Sequence, residues 1–356
     1  MAAVFKGGFG REGKGRMDYQ ALADRVLADG CPTREESRAL LASPDEDLLG
    51  LLDAAFRVRR RHFGRAVQIH YLINAKSGLC PEDCAYCSQS AVSEAGVPRY
   101  GLVDEEELLE GAARAAGAGS RRYCIVMSGR GPGDAEIDRL CRAVGRIKER
   151  HGLSICCSLG LLDGEKARRL REAGVERLNH NLNTSERFYG RICSTHTYRD
   201  RLETLAAGRS AGLELCSGVI FGQGEGEEDI LDVCEALRGL GPESIPVNFL
   251  HPIPGTPLER LAHLGPRRCL RLLCLMRFYN PAAEIRVAGG REVQLRGLQP
   301  LALYPANSIF VEGYLTTPGQ GAAEAPRMIQ DLGFEVDEGG WSEAPEEKRA
   351  GAAQSQ

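Results

Sequence analysis

Between Asp18 and about Arg65, apolar residues recur at helical spacing: in YQALADRVLA, in REESRALLA behind Thr33, and in DEDLLGLLDAAFRVRRRHF, where Ser43 or Asp45 is positioned to cap. A helical preface is expected there. Beyond it, short strand-like runs alternate with amphipathic stretches. The strand candidates are VQIHYLI (67–73), RRYCIVM (121–127), LSICCSL (153–159), VERLNHNL (175–182), LELCSGVI (213–220), SIPVNFL (244–250), EIRVA (284–288) and NSIFV (307–311). The segments EEELLEGAARAA, AEIDRLCRAVGRIKER, GEKARRLREA, RDRLETLAAGRSA, EEDILDVCEALRGL and RRCLRLLCLMRFY between them read as helices. Strands joined by helical crossovers imply a parallel sheet, and eight is the number that closes. The predicted fold is an α/β (βα)8 TIM-type barrel with an N-terminal helical extension; an open doubly wound sheet is the alternative.

Alternate residues of a strand face opposite sides, so each barrel strand has one side toward the helices and one toward the lumen. In 153–159, Leu153, Ile155, Cys157 and Leu159 share one face and Ser154, Cys156 and Ser158 the other. In 213–220, Leu213, Leu215 and Val219 oppose Cys216 and Ile220; in 121–127, Tyr123, Ile125 and Met127 oppose Cys124. Further on, Ile245, Val247 and Phe249 oppose Asn248, Ile285 and Val287 oppose Arg286, and Leu178 and Leu182 oppose Asn179, Asn181 and Asn183. One parity makes an ordinary core. The other lines the lumen with Cys, Ser, Asn and Arg, where a barrel normally packs Val, Ile and Leu. Unpaired polar groups there would cost about 1–3 kcal/mol each, so a bound ligand or cofactor is expected.

The chain has 356 residues, 43% of them hydrophobic and 26% charged, enough apolar material for a sizeable core. Stretches 1–17 and 340–356 are too poor in aliphatic residues to offset their ordering entropy and are expected as flexible extensions; 18–339 is expected as one barrel domain with its preface at 18–65. There is no apolar run of membrane-spanning length, and MAAVFKGGFGREGKGRM lacks the apolar centre of a signal peptide. A cytoplasmic protein without a membrane partner is therefore expected. Forty-five basic against 49 acidic residues leave a net charge of −4 with no long block of one sign, so nucleic acid is not expected as a partner.

Thirteen cysteines without an export signal point to metal ligands or buried thiols rather than disulfides. Three of them, Cys80, Cys84 and Cys87, form C-x3-C-x2-C in the loop NAKSGLCPEDCAYCSQS behind the first strand. Thiolates so close repel unless a cation holds them. Structural zinc, one possible cation, takes four protein ligands, and no second cysteine pair follows. Three cysteines instead suit a four-iron cluster with one iron left open. Cys31, Cys141, Cys193, Cys234, Cys269 and Cys274 fall mostly in helical stretches and read as small buried hydrophobes, and His70 and His180 as hydrogen-bonded core residues.

This loop, behind the first strand of a barrel, resembles that of the radical S-adenosylmethionine enzymes. The stretches YCIVMSGRGP, ICCSLGLL, NHNLNTSE, CSGVIFGQGE, SIPVNFLHPIPGTPLE, EIRVAGGRE and YPANSIFVEGYLTTPGQ resemble, in order, the signatures of the biotin synthase family over roughly 18–335. The resemblance implies that Cys80, Cys84 and Cys87 hold a [4Fe–4S] cluster whose open iron chelates S-adenosylmethionine. It also implies a [2Fe–2S] cluster on Cys124, Cys156, Cys216 and Arg286. Cys157 competes with Cys156, which the parity favours; for Arg286 a buried ion-paired arginine is the alternative. Asn181, Asn248, Thr316 and Thr317 match substrate contacts. Asn181 and Asn183 lie near the cofactor ribose, Asn183 standing where some members carry Asp. Tyr86 and Ile220 match residues at the adenine, with plain packing as the alternative for both. The implied activity is radical-mediated sulfur insertion converting dethiobiotin to biotin, with reductive cleavage of S-adenosylmethionine by an electron from a donor such as flavodoxin or ferredoxin, in a homodimer. Lipoyl synthase would carry a second cysteine triad near its N-terminus, and here Cys31 alone precedes Cys80.

Overall fold

The computed structural model describes residues 17–312, 314–316, 319, 321 and 323–337, and within it every expected strand run forms. The strands are β1 (Ala66–Lys76), β2 (Arg122–Met127), β3 (Ser154–Ser158), β4 (Arg177–Asn179), β5 (Glu214–Cys216), β6 (Val219–Phe221), β7 (Ser244–Phe249), β8 (Glu284–Val287) and β9 (Ser308–Phe310). All pairings are parallel, and β1 pairs with both β2 and β9, so the sheet closes into a barrel and the open doubly wound alternative is excluded. The run 213–220 is one barrel stave broken into β5 and β6, both paired to β7. The break falls at Ser217 and Gly218, where a Cβ on Gly218 would lie 1.9 Å from the Pro246 carbonyl oxygen. Only glycine lets β7 approach that closely.

A tenth strand, β10 (Glu335–Val336), pairs with the start of β1 and was not expected; two residues are too few to show a period. The flanking extensions expected at 1–17 and 340–356 lie, apart from Met17, outside the described residues.

Helices fill the crossovers where their caps and apolar faces put them. Asp104 accepts from the Glu107 amide ahead of helix Glu105–Gly117, Asp163 from the Lys166 amide ahead of Gly164–Glu172, and Thr197 and Asp200 form a capping box ahead of Tyr198–Ser210. In the preface, helix Tyr19–Leu27 is capped by Asp18 and helix Arg34–Leu41 by a Thr33–Glu36 box. The cap expected from Ser43 or Asp45 does not form. A 3₁₀ turn, Asp45–Asp47, leads into helix Leu48–Phe63 instead, because both side chains face arginines of helix Pro266–Tyr279. Ser43 Oγ accepts from Arg271 Nε at 3.0 Å, and Asp45 pairs with Arg267 and Arg271. The preface is thereby fastened to the barrel's outer wall.

The parity argument meets its test in the packing. Tyr123, Ile125, Ile155, Cys157, Leu178, Leu215, Val247 and Ile285 belong to the main core between sheet and helices. Cys124, Cys156 and Cys216 form a separate small cluster with Ala288 and Phe310 inside the barrel. Among the described residues no helix is long and apolar enough to cross a membrane.

Candidate active site

A cavity of about 300 Å³ opens at the C-terminal ends of the strands, the face on which barrel enzymes carry their sites. Its mouth is the loop behind β1. Gly78 has φ +68°, and a Cβ there would come within 2.7 Å of the Pro98 carbonyl oxygen; its amide donates to Gln89 Oε1 at 3.1 Å. The turn is tightened by Cys87 N to Cys84 O (3.0 Å) and pinned from outside by Ala85 N to Ile192 O (2.8 Å). Cys80, Cys84 and Cys87 all line the cavity. Burial pushes the Cys80 thiol up and the Cys87 thiol to about 11, so a bound cation is what would make them thiolates at neutral pH. A shared loop offering three soft donors to one cavity fits a [4Fe–4S] cluster.

Cys193 departs from expectation. It is buried, but it lies in the loop after helix Glu186–Tyr189 rather than in a helix, 3.7 Å from Cys84 Sγ. It also sits 3.2 Å from both Asp83 Oδ1 and His196 Nδ1. The hydrogen bond from Cys84 is the main cause that draws Cys193 down to about 4 and holds Cys84 well up. Arg201 Nη2 donates to His196 Nε2 at 2.9 Å, so the ring proton is on Nδ1, which donates to Glu82 Oε2. Both ring nitrogens are therefore committed within the protein. The polar run STH (194–196) directly ahead of the Thr197 cap is the sequence signal for a loop here.

Inside the barrel, β2 and β3 place Cys124 and Cys156 opposite each other, and β5 brings Cys216. Cys156 hydrogen-bonds to both of the other thiols. Asn179 Nδ2 donates to Cys216 Sγ at 3.1 Å, and Arg286 Nη1 lies 3.8 Å from the same sulfur. The bond from Cys156, aided by the Arg286 cation, lowers the Cys124 thiol against burial; Cys156 is pushed up to about 12, and burial together with the bond to Cys156 drives Cys216 far up against the nearby arginines. Cys157 pairs in register with Ile125 and Leu178 on the helix side. Three thiols converging beside one guanidinium, out of contact with solvent, are a donor set suited to iron and sulfide.

Asn183, at φ +70°, donates from Nδ2 to the half-buried Tyr86 hydroxyl at 2.6 Å, and its carbonyl accepts from Ile220 N at 2.9 Å. Asn181 Oδ1 accepts from Gly218 N at 3.0 Å. Asn248 Nδ2 donates to Val219 O and its Oδ1 accepts from Gly289 N, each at 2.9 Å. Thr316 Oγ1 shares a 2.8 Å hydrogen bond with Ser88 Oγ. All of these and Ile220 line the cavity. Thr317 lies outside the described residues. His180, read as a hydrogen-bonded core residue, lines the cavity as well; burial holds its pKa far down, and its Nε2 has no partner among the described residues.

Two family models match: the Radical SAM superfamily over residues 76–237 and the Biotin and Thiamin Synthesis associated domain over residues 246–335. Biotin synthase of Bacillus subtilis (strain 168) is 53% identical over 319 residues, covering 90% of this chain and 95% of its own. Biotin synthase of Geobacillus kaustophilus (strain HTA426) is 53% identical over 320 residues, covering 90% and 96%. Among solved structures, methylornithine synthase (PylB) superposes with a TM-score of 0.78 at 24% identity, over 88% of this chain and 97% of that one. The FeFe-hydrogenase maturase HydG from Carboxydothermus hydrogenoformans gives 0.74 at 17%, over 89% and 78%. At those identities the structural neighbours speak for the barrel alone. With sequence relatives matched at 53% over nearly their whole length, the chain belongs to the biotin synthase family of radical S-adenosylmethionine enzymes, with the [4Fe–4S] cluster and S-adenosylmethionine that define the superfamily.

Proposed function

We propose that the protein inserts sulfur into dethiobiotin to give biotin, with Cys80, Cys84 and Cys87 as ligands of the [4Fe–4S] cluster and Cys124, Cys156, Cys216 and Arg286 as the holders of a second, [2Fe–2S] cluster. The observation that carries the reading is that two separate sets of thiols meet at one cavity: Cys80, Cys84 and Cys87 from the mouth loop, and Cys124 and Cys156 from the lumen, with Cys216 packed against the latter two. The first cluster with S-adenosylmethionine supplies, when bound, an electron and a radical able to take hydrogen from unactivated carbon, which acid–base chemistry cannot do. The protein's own residues position and exclude. Asn181 and Asn183 line the cavity and would receive the cofactor ribose, and Tyr86, held by Asn183, would offer its ring to the adenine together with Ile220. Asn248, its amide fixed by two backbone partners, and Thr316 with Thr317 are the substrate contacts. The closed barrel wall would exclude water and hold cofactor and substrate in one orientation.

The same reading supplies a partner set: an electron donor of the flavodoxin or ferredoxin type, a homodimer, and a cytoplasmic setting in keeping with thirteen free thiols. The test is anaerobic reconstitution followed by iron and sulfide analysis, Mössbauer spectroscopy and product assays. Two cluster types and biotin from dethiobiotin are expected. Replacing Cys84 by Ala should abolish 5′-deoxyadenosine formation and leave the [2Fe–2S] signal; normal cleavage in that variant would overturn the assignment of the mouth triad.

A further inference from the structure

Below the thiols of the lumen lies a carboxylate with an unusual number of donors. Glu284 precedes Arg286 by two residues on β8, so both side chains point inward, one rung apart. Its Oε1 accepts from Arg286 Nη2 at 2.5 Å and Nε at 3.1 Å, from Ser308 Oγ at 2.8 Å and from His70 Nε2 at 3.1 Å. Its Oε2 accepts from Arg177 Nη1 at 2.6 Å. The donors come from β1, β4, β8 and β9, so the carboxylate is fixed from four strands at once. The guanidinium it holds is fixed too. Ser244 Oγ and Ser308 Oγ flank the same edge at 2.8 Å from Nη2 and 3.0 Å from Nε, and the group stacks 4.9 Å from the Phe310 ring centre. Only Nη1 is turned to the thiols, 3.8 Å from Cys216 Sγ.

We propose that Glu284 is a positioning residue for the second cluster: it grips the Nε and Nη2 edge of Arg286 so that Nη1 is the one guanidinium nitrogen presented to Cys124, Cys156 and Cys216. The inference rests on the reading of those residues as the second cluster's holders. A planar fork gripped along one edge has one orientation left, which a point charge such as Lys in place of Arg286 would not reproduce. Aspartate at 284 is one methylene short of spanning Arg286 and Arg177 together. Glutamine keeps the shape but must turn an amide N–H toward a guanidinium N–H whichever way it is placed, since an arginine donates to each carboxylate oxygen.

The test is a double-mutant cycle read on the cluster rather than on product. Glu284→Gln, Arg286→Ala, the double variant and Cys216→Ala are reconstituted anaerobically and examined by iron and sulfide count, visible absorption and Mössbauer spectra. Glu284→Gln should keep second-cluster iron, because three cysteines remain, while shifting its visible maxima and Mössbauer parameters and leaving the [4Fe–4S] signal unchanged. In the Arg286→Ala background the same substitution should shift nothing further. If Glu284→Gln alone gives the wild-type spectrum, or produces its full shift on top of Arg286→Ala, the positioning role is overturned. If Glu284→Gln does not accumulate as folded protein, Ser244→Ala combined with Ser308→Ala loosens the same guanidinium edge, and the same shift and the same non-additivity are expected. Retention of the second-cluster spectrum in Cys216→Ala would instead sink the underlying site reading, a failure separate from that of Glu284.

Discussion

Cys156 and Cys157 are adjacent in β3, equally buried and chemically identical, yet the barrel wall separates their surroundings. Replacing each by Ala should give opposite outcomes. For Cys157→Ala, the sulfur is lost from the main core. The transfer term is about 0.8 kcal/mol, that of one buried methylene. A residual void on the order of 25 Å³, at about 24 cal/mol per Å³, adds about 0.6 kcal/mol. The variant should therefore lose about 1.4 kcal/mol of stability, seen as a lower denaturant midpoint in the cluster-free protein, and should bind both clusters normally. For Cys156→Ala the neighbours are Cys124 and Cys216 beside the cavity, so little packing is lost and the readout is spectroscopic. Iron at the second site and biotin formation should vanish while 5′-deoxyadenosine formation persists. Anaerobic reconstitution with Mössbauer spectra, alongside urea unfolding, measures both. A Cys157→Ala protein without the [2Fe–2S] signal, paired with a Cys156→Ala protein that keeps it, would refute the assignment of the two faces.

Three further outcomes are expected. Gly218→Ala places a Cβ 1.9 Å from the Pro246 carbonyl oxygen and should cost at least about 1–3 kcal/mol, with loss of soluble protein at 37 °C; wild-type stability would show that the β5–β6 break tolerates a side chain. Burial lowers His70 to about 3 and His180 far below its usual value, so the unfolded chain, with His near 6.5, binds protons that the fold refuses. The stability this represents is complete above about pH 6.5 and falls as pH drops, by up to about 1.4 kcal/mol per unit for each histidine. Urea midpoints at pH 7.5 and 5.5 should reveal the slope, and an unchanged slope in His180→Asn would count against it. Arg286→Lys should still assemble both clusters but alter the Mössbauer parameters of the second, because an ammonium matches neither the stack on Phe310 nor the edge held by Glu284; spectra identical to wild type would leave Arg286 a charge-balancing role only.

Most of this architecture was legible because a half-buried strand writes its two faces alternately into the sequence. Every strand run expected from 67 to 311 formed, and the assignment of Cys156 to the lumen and Cys157 to the core needed parity alone. What escaped had no period to read. β10 has two residues, and helices Glu186–Tyr189 and Arg291–Leu295 are single short turns set by their neighbours. Capping was misread at Ser43 and Asp45 because long-range arginines from helix Pro266–Tyr279 claimed the oxygen atoms a local rule would have given to backbone amides. Cys193 reads in the sequence as a small buried hydrophobe because cysteine in isolation carries no signal of its partner, and Cys84 lies more than a hundred residues away in sequence.

The polar lumen itself divides by height, and the division changes what it implies. Toward the base, Arg122, Arg177 and Arg286 face Glu214 and Glu284, with His70, Ser244 and Ser308 completing the hydrogen bonds. Such a network adds little net stability over an apolar core, yet removing one member leaves a buried charge exposed to loss of about 3–5 kcal/mol, so it acts as a stiff floor. Its ion pairs need no ligand, although Arg122 Nη1 and His70 Nδ1 have no partner among the described residues. One rung higher, the thiols of Cys124, Cys156 and Cys216 have no carboxylate opposite them and lean on one another, on Asn179 and on a single nitrogen of Arg286. The charges of the lower storey are paired within the protein, and the thiols of the upper storey have no such counter-charges beyond one edge of Arg286. The demand for a bound group, which the sequence attaches to the whole lumen, therefore falls chiefly on the upper storey, and the floor's contribution is to hold one edge of that guanidinium still while the other edge faces the thiols.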